Sequence, residues 1–449
     1  MDHKFFQVVD DPKDFQILGV NLAKLFYDIY CSDEISKLSP SFSQEILNRR
    51  RRALLSILLF IPAIIHLLWL AFSSRRHPKI LFYEGAIRTI ISNGVLYDQY
   101  NSKIIDSKGR HNFILLQEAE QSRKRMYHSD IYIIFFRWII FLIAKVFWWI
   151  HRKEVTVFAS KLTHKCSSFN WTTDRIVFKT NQFFGEYIFF RFLIKLLRPK
   201  GIILICHYSK ESFIAACHSL KHPVTEIQHG HILRNHPFYN IPDFNEEFRT
   251  AFTTLLPDYL GVYGKFWKEN LIEGKQFHVS SIFILGYYLK QPDTVKKQRE
   301  GKTIILITTQ PHVQRSIIEY VKFLSQVLSP KEWQVIIKPH SAEDTAPYEN
   351  LAIHDFIIVS TTSVYTLLQL CDIHISVFST VLFEALMFPV VNYSLYVEEV
   401  RVQCEEITSS RVALRLNSNE IPDPAKKPPM GSSHFFSPCD LSALFLTLN

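Results

Sequence analysis

From Pro78 onward the chain is made of short β-branched apolar runs separated by helix-like stretches, and this alternation narrows the possible folds more than any other feature. The first series of runs is Lys79–Tyr83, Asn112–Gln117, Val155–Ala159, Gly201–His207 and Pro223–Gln228. A second series is Thr303–Thr308, Gln334–Lys338, Phe356–Val359, Ile373–Phe378 and Val390–Tyr393. Most of these runs are apolar throughout, not on alternate residues, so both faces of each strand are expected to be buried. Strands of that kind belong to parallel sheets covered by helices on both sides. Stretches such as "VQRSIIEYVKFLSQVL" supply the helical period between them. The two series part at "KQPDTVKKQREGK", Lys290–Lys302, which predicts an α/β protein of two Rossmann-like domains facing a cleft. A length of 449 residues suits two ordinary domains better than one small core. The expected division is an N-terminal extension over 1–77, a first domain over 78–290, a second over 291–430 and an irregular Pro- and Ser-rich tail over 431–449.

Ahead of that pattern lies Ala53–Phe72, "ALLSILLFIPAIIHLLWLAF", 20 residues without a formal charge. Basic blocks bracket it: "NRRRR" at Asn48–Arg52 and "RRHPK" at Arg75–Lys79. A second apolar stretch, Ile131–Ile150, carries Arg137 and Lys145 among many Phe and Trp residues. Aromatic residues mixed with cations suit headgroup depth, where the long cationic side chains reach lipid phosphate. The formal net charge of +9, concentrated beside apolar segments, points to an anionic membrane surface and away from nucleic acid. The expectation is N-terminal membrane-associated helices that lie on or dip into the cytoplasmic face of the inner membrane, with the protein peripheral or monotopic. The opening "MDHKFFQVVDDPKDF" is polar and predicts no secretory signal. Seven dispersed cysteines without a CxxC pair predict reduced thiols.

Ligands of doubly wound sheets bind beyond the carboxyl ends of the strands, so residues just past each run are the candidates for chemistry. "EIQHGHILRNHPFY" follows one run. His229 is the candidate general base, with Glu226 three residues earlier to orient or tune it or do that work itself. Gly230 is expected to allow a tight turn and a close ligand approach. His231 and His236 receive no role, and their spacing is too weak a signal to predict a metal. "IIKPHSAED" puts Lys338 and His340 at another strand end, where they suit phosphate oxygens. In "ISVFSTVLFEAL", Ser379 and Thr380 open a helix, a place for an anion, and Glu384 lies one turn later, within reach of a ribose hydroxyl. Neither a GxGxxG fingerprint nor a Walker loop occurs, which argues against dinucleotide redox and P-loop chemistry.

"EIQHGHILRNHPFYN", "PDYLGVYGKFWKENL", "IFILGYYLK", "VIIKPHSAED" and "ISVFSTVLFEALMFP" occur in that order. Together they resemble the GT-B glycosyltransferases that build bacterial capsule, O-antigen and lipooligosaccharide. More distantly they are similar to sialyl-, polysialyl- and Kdo-transferases and to teichoic-acid glycerophosphotransferases. The resemblance covers roughly residues 78–396. It implies an acceptor-binding first domain and a nucleotide-sugar-binding second domain. It places His229 in the cleft as base, Lys338, His340, Ser379 and Thr380 on the donor phosphates, and Glu384 on the nucleotide ribose. The chain has His340–Ser341 where many relatives have His-Pro, and it lacks the acidic-pair-glycine signature of bacterial sialyltransferases.

The function expected is therefore an inverting glycosyltransferase. It would need no metal or other cofactor, use a nucleotide-sugar as co-substrate, and act on a lipid-linked glycan or glycolipid acceptor. A nucleotide-sugar epimerase of the same architecture and a non-catalytic scaffold for polysaccharide assembly are the alternatives.

Overall fold

A computed structural model describes residues 4–9, 11–37, 60–84, 89–92, 95–98, 100–118, 129–240, 246–274, 276–288, 301–340, 343–351, 356–426 and 431–448. The basic block at 48–52, residues 53–59 of the first apolar stretch, and most of the linker expected at 290–302 lie outside them.

The first sheet consists of parallel strands β1 (Ile80–Tyr83), β2 (Phe113–Gln117), β3 (Ile131–Tyr132), β4 (Gly201–Ile205), β5 (Val224–Ile227), β6 (Tyr259–Val262) and β7 (Ile282–Ile284). Their order across the sheet is 3-2-1-4-5-6-7. The second sheet holds β8 (Thr303–Thr308), β9 (Trp333–Lys338), β10 (Ile357–Val359), β11 (Ile373–Ser376), β12 (Val391–Leu395) and β13 (Leu414–Leu416), again all parallel. Its order is 10-9-8-11-12-13. In each case the chain winds outward from a first strand, returns, and winds the other way, which is the doubly wound Rossmann order. Two such domains with the loops of one against the other form the GT-B arrangement. The central strands are buried throughout, as continuous apolar runs require: every residue of β1, β2, β4, β5 and β12 is buried.

One expected strand is not a strand. Val155–Ala159 lies inside α3 (Arg137–Lys165), a helix that packs along α4 (Thr173–Leu197). Val155, Phe158, Ala159 and Leu162 are buried there at helical spacing. The run "VTVFA" has strand composition, but the longer 3.6-residue period around it and the packed partner helix decide the outcome.

The C-terminal residues are more structured than their composition suggested. Residues 432–434 form a 3-10 turn, α8 spans Leu441–Leu446, and Phe435, Leu444 and Leu448 are buried in the core of the first domain. Trp267 Nε1 donates to the Phe435 carbonyl (2.8 Å), and Tyr287 N–H donates to Ser437. Gly286 is the tightest point of this crossing. It takes φ +78°, and a Cβ there would lie 2.0 Å from the Pro438 carbonyl oxygen. Gly286→Ala is therefore expected to destabilise the protein by more than about 2 kcal/mol, from a disfavoured φ combined with a backbone clash. Thermal unfolding checks this, and an unchanged midpoint would refute the crossing as drawn.

Candidate functional site

Both sheets reverse winding between their first and fourth strands, so the crevices for ligands lie beyond β1 and β4 in one domain and beyond β8 and β11 in the other. The loop after β4 is built under strain. Cys206 and Ser209, neither of them glycine, take φ +65° and +70°. Lys210 holds the loop from beneath: its buried ammonium donates to the carbonyls of Ile205 and Cys206, and burial lowers its pKa. The loop thereby carries Tyr208 to His229, where Tyr208 Oη and His229 Nε2 are 3.1 Å apart. On the other side Tyr100 Oη donates to the His229 carbonyl (2.8 Å). Burial pushes the His229 imidazole down to about 4, so it is neutral at physiological pH. When Nε2–H donates to Tyr208, Nδ1 keeps its lone pair and has no hydrogen-bond partner among the described residues.

Glu226 is not placed to orient His229. It is fully buried and accepts from the His207 backbone N–H (3.2 Å), from His207 Nδ1–H (2.7 Å) and from Tyr239 Oη. Burial alone would raise this carboxyl, but His207 and Tyr239 outweigh it and hold the pKa below its usual value. Its structural work is to fasten the strand end beneath the histidine loop. Gly230 does not take a positive φ, so a tight turn is not the reason for a glycine there. A Cβ would meet only Thr380 Oγ1, at an ordinary 3.5 Å.

His231 makes the link between the domains. Its backbone N–H donates to Thr380 Oγ1 (3.2 Å), the hydroxyl donates to His231 Nδ1 (2.9 Å), and the imidazole stacks on Phe383. A neutral ring is needed to accept that bond, and burial holds His231 near 4. Ser379 caps α7 (Thr380–Ala385) through Val381 N–H (3.3 Å). Glu384, on the same short helix, is only 1 % exposed, which withdraws its carboxylate from a ligand in this arrangement of the domains.

At the other half of the second sheet, Lys338 Nζ lies 3.4 Å from the Thr361 carbonyl, and burial lowers its pKa. The His340 ring is exposed, while its backbone N–H donates to Thr309 Oγ1 (3.0 Å) and Glu343 Oε2 (2.9 Å). Strands β9 and β11 flank β8, so Lys338–His340 and Ser379–Thr380 stand about 10 Å apart on one sheet edge, with Thr309 and Gln310 between them. Gln310 ties the two sides by accepting from Phe378 N–H (3.0 Å). The structure thus gathers the candidates into two groups, one on that edge and one around His229, joined through His231 and Thr380. Tyr208, Tyr100 and Lys210 were not anticipated. "HYSK", at the end of the expected run Gly201–His207 and just past it, was the available signal, since it occupies the switch-point position. Among the described residues no group of three or more His, Cys, Asp or Glu side chains is set to hold a metal ion.

In the first domain α2 (Phe60–Arg76), α3 and α4 pack together and leave large apolar side chains in solvent. Ile61, Leu68, Trp69 and Phe72 of α2, Phe141, Val146 and Trp149 of α3, and Phe178 and Phe192 of α4 are 54–75 % exposed. Arg76 sits 4.4 Å over the Phe72 ring and Lys145 4.7 Å over Phe141, cations resting on exposed aromatic faces. The stretch Ile133–Lys165 is long and apolar enough to cross a membrane by length and composition.

No protein-family model and no curated protein matches the chain. Among solved structures it is similar to the UDP-GlcNAc 2-epimerase of Methanocaldococcus jannaschii in complex with UDP-GlcNAc and UDP. That match has 13 % identity, covers 83 % of this chain and all of that one, and has a TM-score of 0.46. It is also similar to the lipopolysaccharide outer core galactosyltransferase WaaB (13 % identity, 71 % and 80 % of the two chains, TM-score 0.36). A third is the glycotransferase of kitacinnamycin (9 % identity, 83 % and 93 %, TM-score 0.43). At such values the fold assignment rests on strand order and connectivity.

Proposed function

We propose that the protein is a membrane-associated GT-B glycosyltransferase that moves a sugar from a nucleotide-sugar to a membrane-borne surface-glycan acceptor. The observation that carries this reading is the apolar, cation-dotted face of α2, α3 and α4. A surface with so many half-exposed Phe, Trp, Ile and Leu side chains suits a bilayer interface, and an enzyme working only on soluble nucleotide-sugars has no use for it. Seven free thiols agree with a site on the cytoplasmic side.

In this reading the sugar nucleotide lies on the second sheet, with its phosphates between Lys338–His340 and Ser379–Thr380. An acceptor hydroxyl gives its proton to His229 as its oxygen bonds to the anomeric carbon. The bond from that carbon to the phosphate oxygen breaks, and its electron pair leaves with the nucleotide, so the product is the inverted glycoside. Lys338 and the backbone N–H groups near Ser379 offset the charge that develops on the leaving phosphate. Phosphate binding would compete with His231 for the Thr380 hydroxyl and so loosen the link between the domains.

The test is product analysis with UDP-, GDP-, ADP-, CDP- and CMP-sugars, each with and without lipid extract. Release of nucleotide that depends on the extract is expected. Conversion of a nucleotide-sugar to its epimer without any acceptor would replace this reading with an epimerase.

A further inference from the structure

A groove of about 1120 Å³ runs through the first domain between α3, α4, the N-terminal helix α1 (Ala23–Lys37) and the loop after β4. Its lining is mixed in chemistry. Phe141, Trp148 and Phe178 line it from α3 and α4, and Phe141 and Phe178 also belong to the exposed apolar face (54 % and 61 % exposed). Tyr208, Lys210 and His229 line it from the loops after β4 and β5. Arg137, Lys145 and Lys179 line the stretch contributed by α3 and α4, and none of them makes an ion pair among the described residues. Arg175, which also lines it, is paired with Asp33 (2.6 Å). A single opening thus joins a surface suited to hydrocarbon, three cations that make no ion pair among the described residues, and the neutral histidine, with the carboxyl groups of Asp28, Asp33, Glu118, Glu186 and Glu211 also in its lining.

We infer that this groove is the acceptor site, and that the acceptor is a phosphate-bearing amphiphile drawn from the bilayer. This rests on the glycosyltransferase reading and adds the class of acceptor and its path. The hydrocarbon lies against Phe141, Trp148 and Phe178, the phosphate meets Lys145, Lys179 and Arg137, and the hydroxyl end lies at His229. On both α3 and α4 the lysines of the groove wall stand next to its aromatic residues, Lys145 between Phe141 and Trp148 and Lys179 beside Phe178. Cations beside an aromatic rim hold an anionic headgroup at the depth where the chain must turn from membrane to active site.

Photolabelling of the full chain tests this without turnover. The probe is dodecyl phosphate with a diazirine at the end of its alkyl chain, and plain dodecyl phosphate is the competitor. Labelling of Phe141, Trp148 or Phe178 that the competitor abolishes is expected. Lys145→Glu with Lys179→Glu should lower that labelling roughly tenfold. The same double change should leave labelling by a diazirine dodecanol, which lacks the phosphate, within about twofold. Both lysines lie at the surface or partly exposed, so circular dichroism is expected to show an unchanged fold. Labelling confined to Trp149, Val157 and other outward residues, or labelling that no competitor reduces, would mean the apolar face alone meets lipid and would overturn the groove. Because the probe binds without a nucleotide-sugar, an epimerase outcome in the product assay would sink the transferase reading while leaving this measurement to stand or fall by itself.

Discussion

His229→Ala is expected to lower sugar transfer by about a thousandfold while leaving the fold and the binding of nucleotide close to those of the wild type. The imidazole sits between two tyrosines, with Tyr208 on its Nε2 and Tyr100 on its carbonyl, so its position is set by neighbours that survive the substitution. Its pKa near 4 has a second consequence. A base this acidic has less proton affinity than free imidazole, but it is unprotonated at every physiological pH. The acid limb of the pH–rate profile should therefore fall near pH 4, well below the 6.5 of an ordinary histidine. Tyr208→Phe removes the bond that fixes the tautomer and should lower kcat about tenfold with little change in KM. Single-turnover assays with membranes distinguish these cases. If His229→Ala kept more than a tenth of the activity, the base would be another residue.

The second large effect is a loss of stability in acid, to which His374 of the second domain contributes alongside His229 and His231 of the first, all held near 4 by burial. His374 is fully buried on β11; its Nδ1–H donates to Asn392 Oδ1 (2.7 Å), and its Nε2 accepts from the Thr308 hydroxyl (2.9 Å). Asn392 in turn donates to the carbonyls of Leu382 and Val412, so one neutral imidazole joins β8, β11 and β12 to α7. Burial pushes His374 down to about 4 from 6.5. Between those values the unfolded chain binds the proton and the folded chain does not, so stability is fully present above about 6.5 and falls as pH drops toward 4. The loss is about 3 kcal/mol once complete. Hydrogen exchange of Thr303–Thr308 and Ile373–Ser376 at pH 7 and pH 4.5 reads it locally. His374→Gln should be less stable than the wild type at pH 7 but flatter with pH. An equally steep pH dependence in the variant would assign the acid loss elsewhere.

Much of the fold was legible because burial on both faces leaves a plain mark. Thr303–Thr308 and Gly201–Ile205 are continuous apolar runs, and they became central strands. The shortest strands left little to read. Tyr259–Val262 and Ile282–Ile284 sit in motifs whose aromatic and glycine content obscured the strand pattern, although Gly261 is needed there because a Cβ would press on the Phe283 ring. The candidate site was legible by position but not by partnership. His229, Lys338, His340 and Ser379–Thr380 were found because they follow strands. That Tyr208 meets His229, that His207 takes Glu226, and that His231 meets Thr380 from 149 residues away depends on how separate loops come together. Residue type and spacing along one strand carry no record of such meetings.

The segment that crosses back to the first domain also bears on how the chain is made. Phe435, Leu444 and Leu448 close a core most of whose other members lie before residue 289 and were synthesised well over a hundred residues earlier, whereas β8 to β13 are complete within 303–416. On the ribosome the second domain can finish first, as a local unit. At about 5–20 residues per second, the first domain waits many seconds for its last wall, with the apolar helices α2, α3 and α4 already outside the tunnel. In the membrane-associated enzyme proposed above, a nearby bilayer would shelter that face during the delay, and attachment would then precede completion of the fold.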